Sequence, residues 1–284
     1  MAIHIIADST CDLTEELCKQ YQITILPLYV TLNDTEHRDG VDIHAEDIFR
    51  HVAAGGALPK TAAATVAEYV AAFRDVLNRN PADEIICITI SAKFSSCYQN
   101  ACIAAEGFGN VYPVDSRNLS TGHGHVVCEA VKMAEAGILS PAEIAEALRE
   151  LADRVDASFV LDRLDYMVKG GRCSAVAALG ANLLKLKPYI EVVDGKMRVG
   201  KKYRGSFEKC ILEYVKDKLQ GRDDLVLERI FITYTPVQEG LVEKVRAAVA
   251  SYAPFEEIVE TQAGCTISCH CGPGTLGILF IRSK

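Results

Sequence analysis

The sequence predicts an α/β domain with a parallel sheet covered by helices, followed by an α+β domain with a largely antiparallel sheet. Strand-like Val/Ile runs alternate with helical periodicity through the first half, which is typical of a parallel sheet. Near residue 157 the pattern changes, and a two-residue hairpin signal, Asp194-Gly195, follows. The chain has 284 residues, of which 49% are hydrophobic, enough for two cores. We therefore predict domains at 1–156 and 157–284, with a ligand pocket at their junction.

The elements of the first half are predicted from local patterns. An apolar strand at 3–7 comes first, and Asp12 with Glu15 forms a capping box that predicts a helix beginning after Asp12. Ser140-Pro141 opens a later helix in the same way. The other predicted strands are 23–32, 84–90 and 111–114, and the other predicted helices are near 46–54, 66–77, 98–106 and 124–136.

The second half mixes a hairpin with helices, which is typical of an α+β domain. Strands at 188–193 and 196–203 flank the Asp194-Gly195 turn. The remaining predicted strands are 227–235, 255–261 and 275–281, and the predicted helices are 206–220 and 239–250.

Charge and composition exclude several functional classes. The net charge is −8, whereas nucleic-acid binding and adsorption to an anionic membrane need clustered Lys and Arg. No apolar run approaches the ~20 residues that span a bilayer, so we expect no stable membrane insertion. The N-terminus does not resemble a secretory signal. Eleven cysteines sit mostly singly in apolar segments, typical of reduced structural cysteines in a reducing compartment. We therefore expect a cytoplasmic protein, by default a monomer.

Hydroxyl side chains follow several predicted strands. Because the carboxyl ends of parallel strands line the ligand crevice, these hydroxyls are suited to hold an anion there. The alternative is that each is simply a helix N-cap. The residues are Ser9, Thr10, Ser91, Ser95, Ser96 and Ser116.

Ordered motifs along the chain resemble those of the DegV family. The segment 8–13 is similar to the family's D-S-T/S-x-D-L, and 39–42 is similar to its D-G-x-D. The segment 91–101 resembles S-x-x-L-S-G-T-Y-Q-S-A, and 164–172 resembles L-x-Y-L-x-K-G-G-R. Further similar stretches are Val114-Asp115-Ser116 with Gly122-His123-Gly124, Lys187-Pro188, Lys202-Tyr203-Arg204 and His270-Cys271-Gly272-Pro273-Gly274.

The resemblance implies a non-catalytic carrier that binds one long-chain fatty acid between two domains and presents its carboxylate to a separate fatty-acid kinase. By motif position, Thr61 and Ser95 would bind the carboxylate, and Arg172 and His270 would complete the polar end of the pocket. Arg204 falls where the family has a basic residue linked to kinase docking or phosphate contact. The chain departs from the family at 61–65 and 95–97, both at the expected carboxylate site. No cofactor is expected besides the ligand.

The energy of a buried acyl chain is consistent with this function. Each buried methylene is worth about 0.8 kcal/mol, so ~14 of them provide roughly 11 kcal/mol, far more than the head group. Such a ligand needs a long apolar tunnel with one polar end. Lining of the tunnel, or ordinary core packing, is expected of Tyr69, Val70, Phe73, Leu77, Leu179, Leu183, Leu184 and Leu186.

Three other functions each lack part of the sequence signal that they would need. A serine-dependent acyl hydrolase would use Ser95 or Ser9 with His270 and an orienting Asp8 or Asp115, although no G-x-S-x-G elbow is present. Cys265, Cys269, His270 and Cys271 resemble half of a soft-metal site, but no second ligand pair follows a known spacing, so no metal is expected. A kinase is disfavoured because the sequence has no G-x-x-x-x-G-K-S/T loop.

Overall fold

The computed structural model describes residues 2–177 and 186–283, so the predictions for Leu179, Leu183 and Leu184 lie outside the described residues. The strands are β1 Ile3–Asp8, β2 Thr24–Leu26, β3 Tyr29–Leu32, β4 Thr35–Arg38, β5 Lys60–Ala62, β6 Glu84–Thr89, β7 Val111–Asp115, β8 Val155–Leu161, β9 Leu186–Val193, β10 Lys196–Arg204, β11 Leu225–Tyr234, β12 Glu257–Gln262 and β13 Thr275–Arg282. The helices are α1 Glu15–Gln20, α2 Ala45–Ala53, α3 Val66–Leu77, α4 Cys97–Ala105, α5 Ser120–Ala136, α6 Pro141–Ala152, α7 Asp165–Gly170, α8 Ser174–Ala177, α9 Phe207–Leu219, α10 Leu241–Tyr252 and α11 Cys265–Cys271.

The first half forms a four-stranded parallel sheet in the order β2-β1-β6-β7. Its central strands, β1 and β6, are rich in isoleucine and buried over most of their length, as expected when helices cover both faces. α4, α5 and α6 all contact these strands. This part of the fold matches the predicted parallel sheet.

The second half forms a six-stranded sheet in the order β10-β9-β8-β13-β11-β12. Every neighbouring pair is antiparallel except β11 with β12. The β9–β10 turn places Asp194 at φ 51° and Gly195 at φ 73°, the two left-handed residues of the predicted type I′ turn. The sheet is therefore largely antiparallel, as predicted.

α5 lies between the two sheets. His125 bonds through Nε2 to the carbonyl of Leu279 in β13, at 2.9 Å, while Gly124 on the same helix lies against the carbonyl of Cys11. A single large apolar cluster consequently joins the two sheets through this helix. A second cluster packs α9 and α10 on the opposite face of the six-stranded sheet. The two halves thus share one core.

A small antiparallel sheet, β4-β3-β5, was not predicted from the sequence. The prediction of a single strand at 23–32 is wrong, because this segment is divided between two sheets. The chain leaves the parallel sheet after β2, and β3 begins in another sheet after Pro27 and Leu28. Proline lacks the N–H that a continuing strand would donate. The small sheet packs with α2 and α11 around Val30, Ile48 and Cys269.

The predicted helix start at Asp12 is also wrong. Thr14 is the N-cap of α1, and its side chain accepts a hydrogen bond from the Leu17 N–H. Asp12 instead adopts left-handed backbone angles at the end of a short 3₁₀ turn, and its carboxylate is buried. β8, α7, α8 and α11 were also not predicted from the sequence. The division of the chain after residue 156 falls two residues into β8 and stays a prediction.

Candidate functional site

A cavity of about 640 Å³ is built from elements of both halves of the chain. β5 and the loops after β6 and β7 supply one side, and α7, β10 and α11 supply the other. Its volume lies within the ~300–1,000 Å³ typical of small-molecule sites. Apolar lining comes from Leu28, Ile90, Phe94, Leu119, Met167, Met197 and Ile267.

Four side chains predicted for the polar end of the pocket line this one cavity. They are Thr61, Ser95, Arg172 and His270. Thr61 and His270 are 209 residues apart in sequence, yet Thr61 Oγ1 lies 2.9 Å from His270 Nε2. Their roles in binding a ligand stay predictions.

His270 is held as a neutral imidazole. Burial, together with the nearby positive charge of Arg172, lowers its pKa to about 4. Its Nδ1 is buried without a hydrogen-bond partner among the described residues and lies against Gly170, where a Cβ would overlap it. A buried lone pair is less costly than a buried unpaired N–H, so we assign the proton to Nε2. Nε2 then donates to Thr61, whose own hydroxyl hydrogen is free to donate to an anion.

Arg172 lies at the exposed edge of the cavity. Its Nη1 donates to the carbonyl of Gly170 at 2.8 Å, and the side chain remains exposed. Gly171, at φ 68°, allows the chain to turn sharply between α7 and Arg172. A permanently charged guanidinium here is suited to pair with a carboxylate or a phosphate.

Ser95 lies near the end of the loop that leads into α4. Its Oγ lies 3.1 Å from Cys97 Sγ and accepts the Cys97 N–H at 3.3 Å. Burial raises the pKa of Cys97 to about 12, so this thiol is neutral and a weak partner. The Ser95 hydroxyl is therefore available to a ligand.

Arg204 is not among the described residues that line the cavity. It is the exposed last residue of β10, where it pairs with Leu186 of β9. Its predicted part in docking or phosphate contact stays a prediction.

The tail-lining residues predicted on α3 belong to the core instead. Tyr69, Phe73 and Leu77 are buried in the large cluster between the helices and the parallel sheet. Val70 packs against the same cluster. Leu186, on β9, is not among the described residues that line the cavity. An apolar stripe at helical spacing shows only that a face is buried, without showing what lies against it.

Most hydroxyls at the strand ends have structural roles. Ser9 donates to Asp39, and Thr10 donates to Asp8. Ser91 donates to the Gly195 carbonyl, and Ser116 donates to the Asn118 carbonyl. Of this group, only Ser95 and Ser96 line the cavity. The anion-site interpretation is therefore restricted to the loop before α4.

α11 supplies wall residues that the sequence analysis did not identify. Besides His270, it contributes Thr266, Ile267 and Cys271. The Thr266 hydroxyl is buried and has no partner within the described chain. The segment is seven residues long and mixes Cys, Thr and Ser with no helical periodicity, so only its His motif was recognisable.

A second, much smaller cavity of about 30 Å³ lies behind the first. Leu119, Ile267 and Cys271 line both cavities, so a single layer of side chains separates them. Phe159, Val192 and Leu279 form part of its far wall. Most of the surface that faces this space is apolar, so the space suits carbon atoms better than polar groups.

The geometry does not assemble a hydrolase triad. In a triad, an orienting carboxylate would accept a hydrogen bond from His270 Nδ1. This atom has no hydrogen-bond partner among residues 2–177 and 186–283. Asp8 accepts the Ile90 N–H at 2.7 Å, and Asp115 accepts the N–H groups of Ala92 and Arg117. Neither candidate orienter is bonded to His270.

The cysteines near His270 do not converge on a common point. Cys265 Sγ donates to the Ile43 carbonyl, and Cys269 is buried under the small sheet. In the described part of the chain, no three His, Cys, Asp or Glu side chains are grouped as metal ligands. All eleven cysteines are free thiols in the structure.

No helix within the described ranges is both long and apolar enough to cross a membrane.

Comparisons with known proteins agree on one family. Residues 2–283 match the family described as "Uncharacterised protein, DegV family". A DegV domain-containing protein from Caldanaerobacter subterraneus subsp. tengcongensis is 32% identical over 281 residues, covering 98% of each chain.

Solved structures of fatty-acid-binding proteins share the fold. A fatty-acid-binding DegV family protein from Thermus thermophilus superposes with a TM-score of 0.88 at 30% identity, covering 99% of this chain and 100% of that one. A stearic-acid-binding protein from Eubacterium ventriosum gives a TM-score of 0.85 at 27% identity, covering 100% and 99%. DegV from Bacillus subtilis, a fatty acid binding protein, gives 0.82 at 26% identity, covering 99% of both.

Proposed function

This chain belongs to the DegV family, and from that membership we propose that it binds one long-chain fatty acid in the 640 Å³ cavity. One observation carries the proposal. A cavity with an apolar wall brings two hydroxyls, a guanidinium and a neutral imidazole together from distant parts of the chain. The similar proteins from Thermus thermophilus, Eubacterium ventriosum and Bacillus subtilis, which bind fatty acids, support it.

The carboxylate lies at Thr61 and Ser95 in this proposal. Thr61 donates its hydroxyl hydrogen because His270 already donates to Thr61 Oγ1. Arg172 provides the compensating positive charge at the cavity edge, so the carboxylate is not left unpaired. The Thr266 hydroxyl, buried without a partner in the described chain, lies on the same wall.

The tail runs away from the polar groups along the apolar wall, towards Leu119 and Ile267. Burial of ~14 methylenes at about 0.8 kcal/mol each gives roughly 11 kcal/mol, which is the dominant part of the affinity. The 30 Å³ cavity behind Leu119, Ile267 and Cys271 offers room for the terminal carbons when these side chains move aside.

The protein acts as a carrier, and the carboxylate is phosphorylated by a separate fatty-acid kinase. The exposed position of Arg172 supports this, since a kinase active site can reach the head group only at the cavity edge. Arg204 is exposed on β10 and is the proposed docking or phosphate contact. The eleven free thiols support a reducing compartment, so the site of action is the cytoplasm.

Native mass spectrometry tests the fatty acid directly. Purified protein should carry a single additional mass of about 250–285 Da, as a chain with ~14 methylenes requires. Delipidated protein should take up one equivalent of palmitic acid. Protein that carries no such mass and also fails to take up palmitic acid would contradict the proposed function.

Removal of both hydroxyls tests the carboxylate site. Thr61→Ala with Ser95→Ala should weaken palmitic acid binding about 10- to 100-fold, because two charge-assisted hydrogen bonds are lost while the tail contacts remain. Ser251→Ala removes a hydroxyl on the surface of α10 and should leave binding unchanged. Complete loss of lipid in the double variant would mean that the head group, not the tail, dominates.

The kinase step has its own readout. Palmitoyl phosphate, trapped as the hydroxamate, should form only when this chain, a fatty-acid kinase and Mg-ATP are all present. Failure to form it with the kinase of the same organism would contradict the carrier role. Nitrophenyl-ester turnover that disappears in Ser95→Ala would favour a hydrolase instead.

A further inference from the structure

We propose that Asp39 and Asp12 are positioning residues for the head-group site, because their side chains hold the start of α11 and thereby place His270 against Thr61. This inference rests on the proposed function and goes beyond it by assigning roles to two acidic motifs near the N-terminus, at 8–13 and 39–42. Neither aspartate lines the 640 Å³ cavity.

Asp39 binds two backbone N–H groups of α11. Its Oδ1 accepts from the Cys265 N–H and its Oδ2 from the Thr266 N–H, both at 2.9 Å. Oδ2 also accepts the Ser9 hydroxyl at 3.2 Å. The carboxylate is buried, with the residue only 4% exposed, so these bonds are shielded from water.

Asp12 binds the neighbouring N–H group. Its Oδ1 accepts from the Gly264 N–H at 2.9 Å, and its Oδ2 pairs with the Ser120 hydroxyl at 2.5 Å. Asp12 has left-handed backbone angles, and its side chain bonds to Gly264 and Ser120 instead of capping α1 as the sequence predicted. A Cβ at position 264 would approach Asp12 Oδ1 to 3.0 Å, so glycine permits this close contact.

α11 depends on these partners because it has no cap of its own. Its N-cap is Gly264, which has no side chain to bond the free N–H groups of the first turn. A seven-residue helix is not stable by itself, so its position follows from its contacts. Three successive N–H groups, at 264, 265 and 266, are all bound by aspartate side chains more than 220 residues earlier in the chain.

The opposite end of α11 carries the head-group contact. His270 Nε2 reaches Thr61 across 2.9 Å, and Thr61 belongs to the same half of the chain as the two aspartates. α11 is therefore fixed to that half at both ends. A shift of its first turn by about 1 Å would lengthen the His270–Thr61 hydrogen bond beyond its useful range.

The two lipids palmitic acid and hexadecanol separate positioning from general stability. They share a sixteen-carbon tail, but only the acid presents a carboxylate to Thr61, Ser95 and Arg172. Delipidated protein is incubated with an equimolar mixture, and the bound lipids are extracted and quantified by mass spectrometry. The ratio of bound acid to bound alcohol reports the head-group site independently of the tail.

Asp39→Asn should lower this ratio at least fivefold, with total bound lipid within twofold of the wild type. The Asn amide group cannot accept one of the two N–H bonds, so the first turn of α11 is released on one side. Asp83→Asn is the matched control. Asp83 is also buried and accepts a backbone N–H, that of Ala2 at 2.8 Å, but it lies away from the cavity.

Asp12→Ala provides a second variant if Asp39→Asn does not fold. It removes the bond to the Gly264 N–H together with the bond to the Ser120 hydroxyl, leaves both bonds of Asp39 to α11 in place, and should lower the ratio in the same direction by a smaller factor. An unchanged ratio in a folded variant, or an equal fall in Asp83→Asn, would overturn the inference while leaving fatty-acid binding intact. Wild-type protein that takes up neither lipid would overturn the proposed function and this inference together.

Discussion

His270 combines two features that oppose its protonation. It is buried in the cavity wall, and the charged guanidinium of Arg172 lies close by. Its one hydrogen bond, to Thr61, leaves Nδ1 without a partner among the described residues. A neutral imidazole in this position can donate a single hydrogen and orient a hydroxyl, and it adds no charge to the cavity wall.

The titration of His270 should reflect this environment. In delipidated protein labelled with ¹³C-histidine, its NMR signal, identified by its loss in His270→Gln, should titrate with a pKa of about 4 and stay neutral from pH 5.5 to 8. Palmitate should raise this pKa, because a nearby carboxylate favours the imidazolium. An apo midpoint near 6.5 would contradict the assignment of a desolvated, neutral His270.

Motif order predicted four polar residues of the cavity wall, but sequence alone did not identify the apolar ones. Thr61, Ser95, Arg172 and His270 were identified because polar groups occur in recognisable ordered motifs. Leu119, Met197 and Ile267 carry no such signal, because an apolar side chain looks the same whether it faces a cavity or a neighbouring helix. Thr266 was not predicted for a related reason. Only the structure shows that its hydroxyl is buried on the cavity wall without a hydrogen-bond partner in the described chain.

At the scale of elements, the β9–β10 hairpin closes one side of the cavity by docking on the other half of the chain. Ser91 Oγ donates to the Gly195 carbonyl at 2.8 Å in a buried bond. Arg117 adds an ion pair to Asp194 in the turn. Met197, just after the turn, lines the cavity. The turn therefore positions a wall of the pocket.

Gly195→Ala should be more destabilising than Gly221→Ala. Both glycines have φ near 73–74°, so each alanine costs about 1–2 kcal/mol of backbone strain. Only at position 195 would the new Cβ lie 2.8 Å from Ser91 Oγ, whereas position 221 is open. We expect an extra cost of about 1–3 kcal/mol from this overlap, measured by urea unfolding.

The Ser91→Ala background provides the control for the hairpin. There the excess cost of Gly195→Ala over Gly221→Ala should largely disappear, because the clashing atom is gone. Equal costs of the two glycine variants in the wild-type background would show that the turn is not docked on Ser91.

Element prediction succeeded where periodicity was strong and failed where tertiary contacts decide. The alternating strands and helices of the first half and the Asp194-Gly195 hairpin were predicted close to their observed bounds. The break after β2 and the short helix α11 were not. α11 exists because Asp12 and Asp39 bind its first turn, and no local pattern contains that information.

At the scale of the whole molecule, a buried acidic group links folding to pH. Burial raises the pKa of Asp12 from its ordinary 3.8 to about 8, with smaller opposing effects from its bonds to Ser120 and Gly264. Between these two pH values the folded protein keeps a proton that the unfolded chain has lost. The contribution of Asp12 to stability therefore falls as the pH rises, by at most about 1.4 kcal/mol per pH unit.

Comparison of the wild type with Asp12→Asn isolates this effect. Buried histidines such as His125, whose pKa is lowered to about 4, act in the opposite direction but equally in both proteins. The free energy of unfolding of the wild type minus that of Asp12→Asn should decrease steadily from pH 5 to pH 7.5. Urea unfolding of delipidated protein at three pH values measures it, and parallel pH curves would contradict a protonated Asp12.

The pairing of β8 with β13 determines when the cavity can form during synthesis. The two strands are adjacent at the centre of the six-stranded sheet, with Leu161 opposite Thr275. At 5–20 residues per second, a ribosome needs roughly 6–20 s to pass from one to the other. The parallel sheet, whose last strand ends at Asp115, can fold on the nascent chain during this interval. Ile90 and Leu119 then remain exposed to solvent. Chaperones and other nascent chains can bind this apolar surface until α11 and β13 have been synthesised.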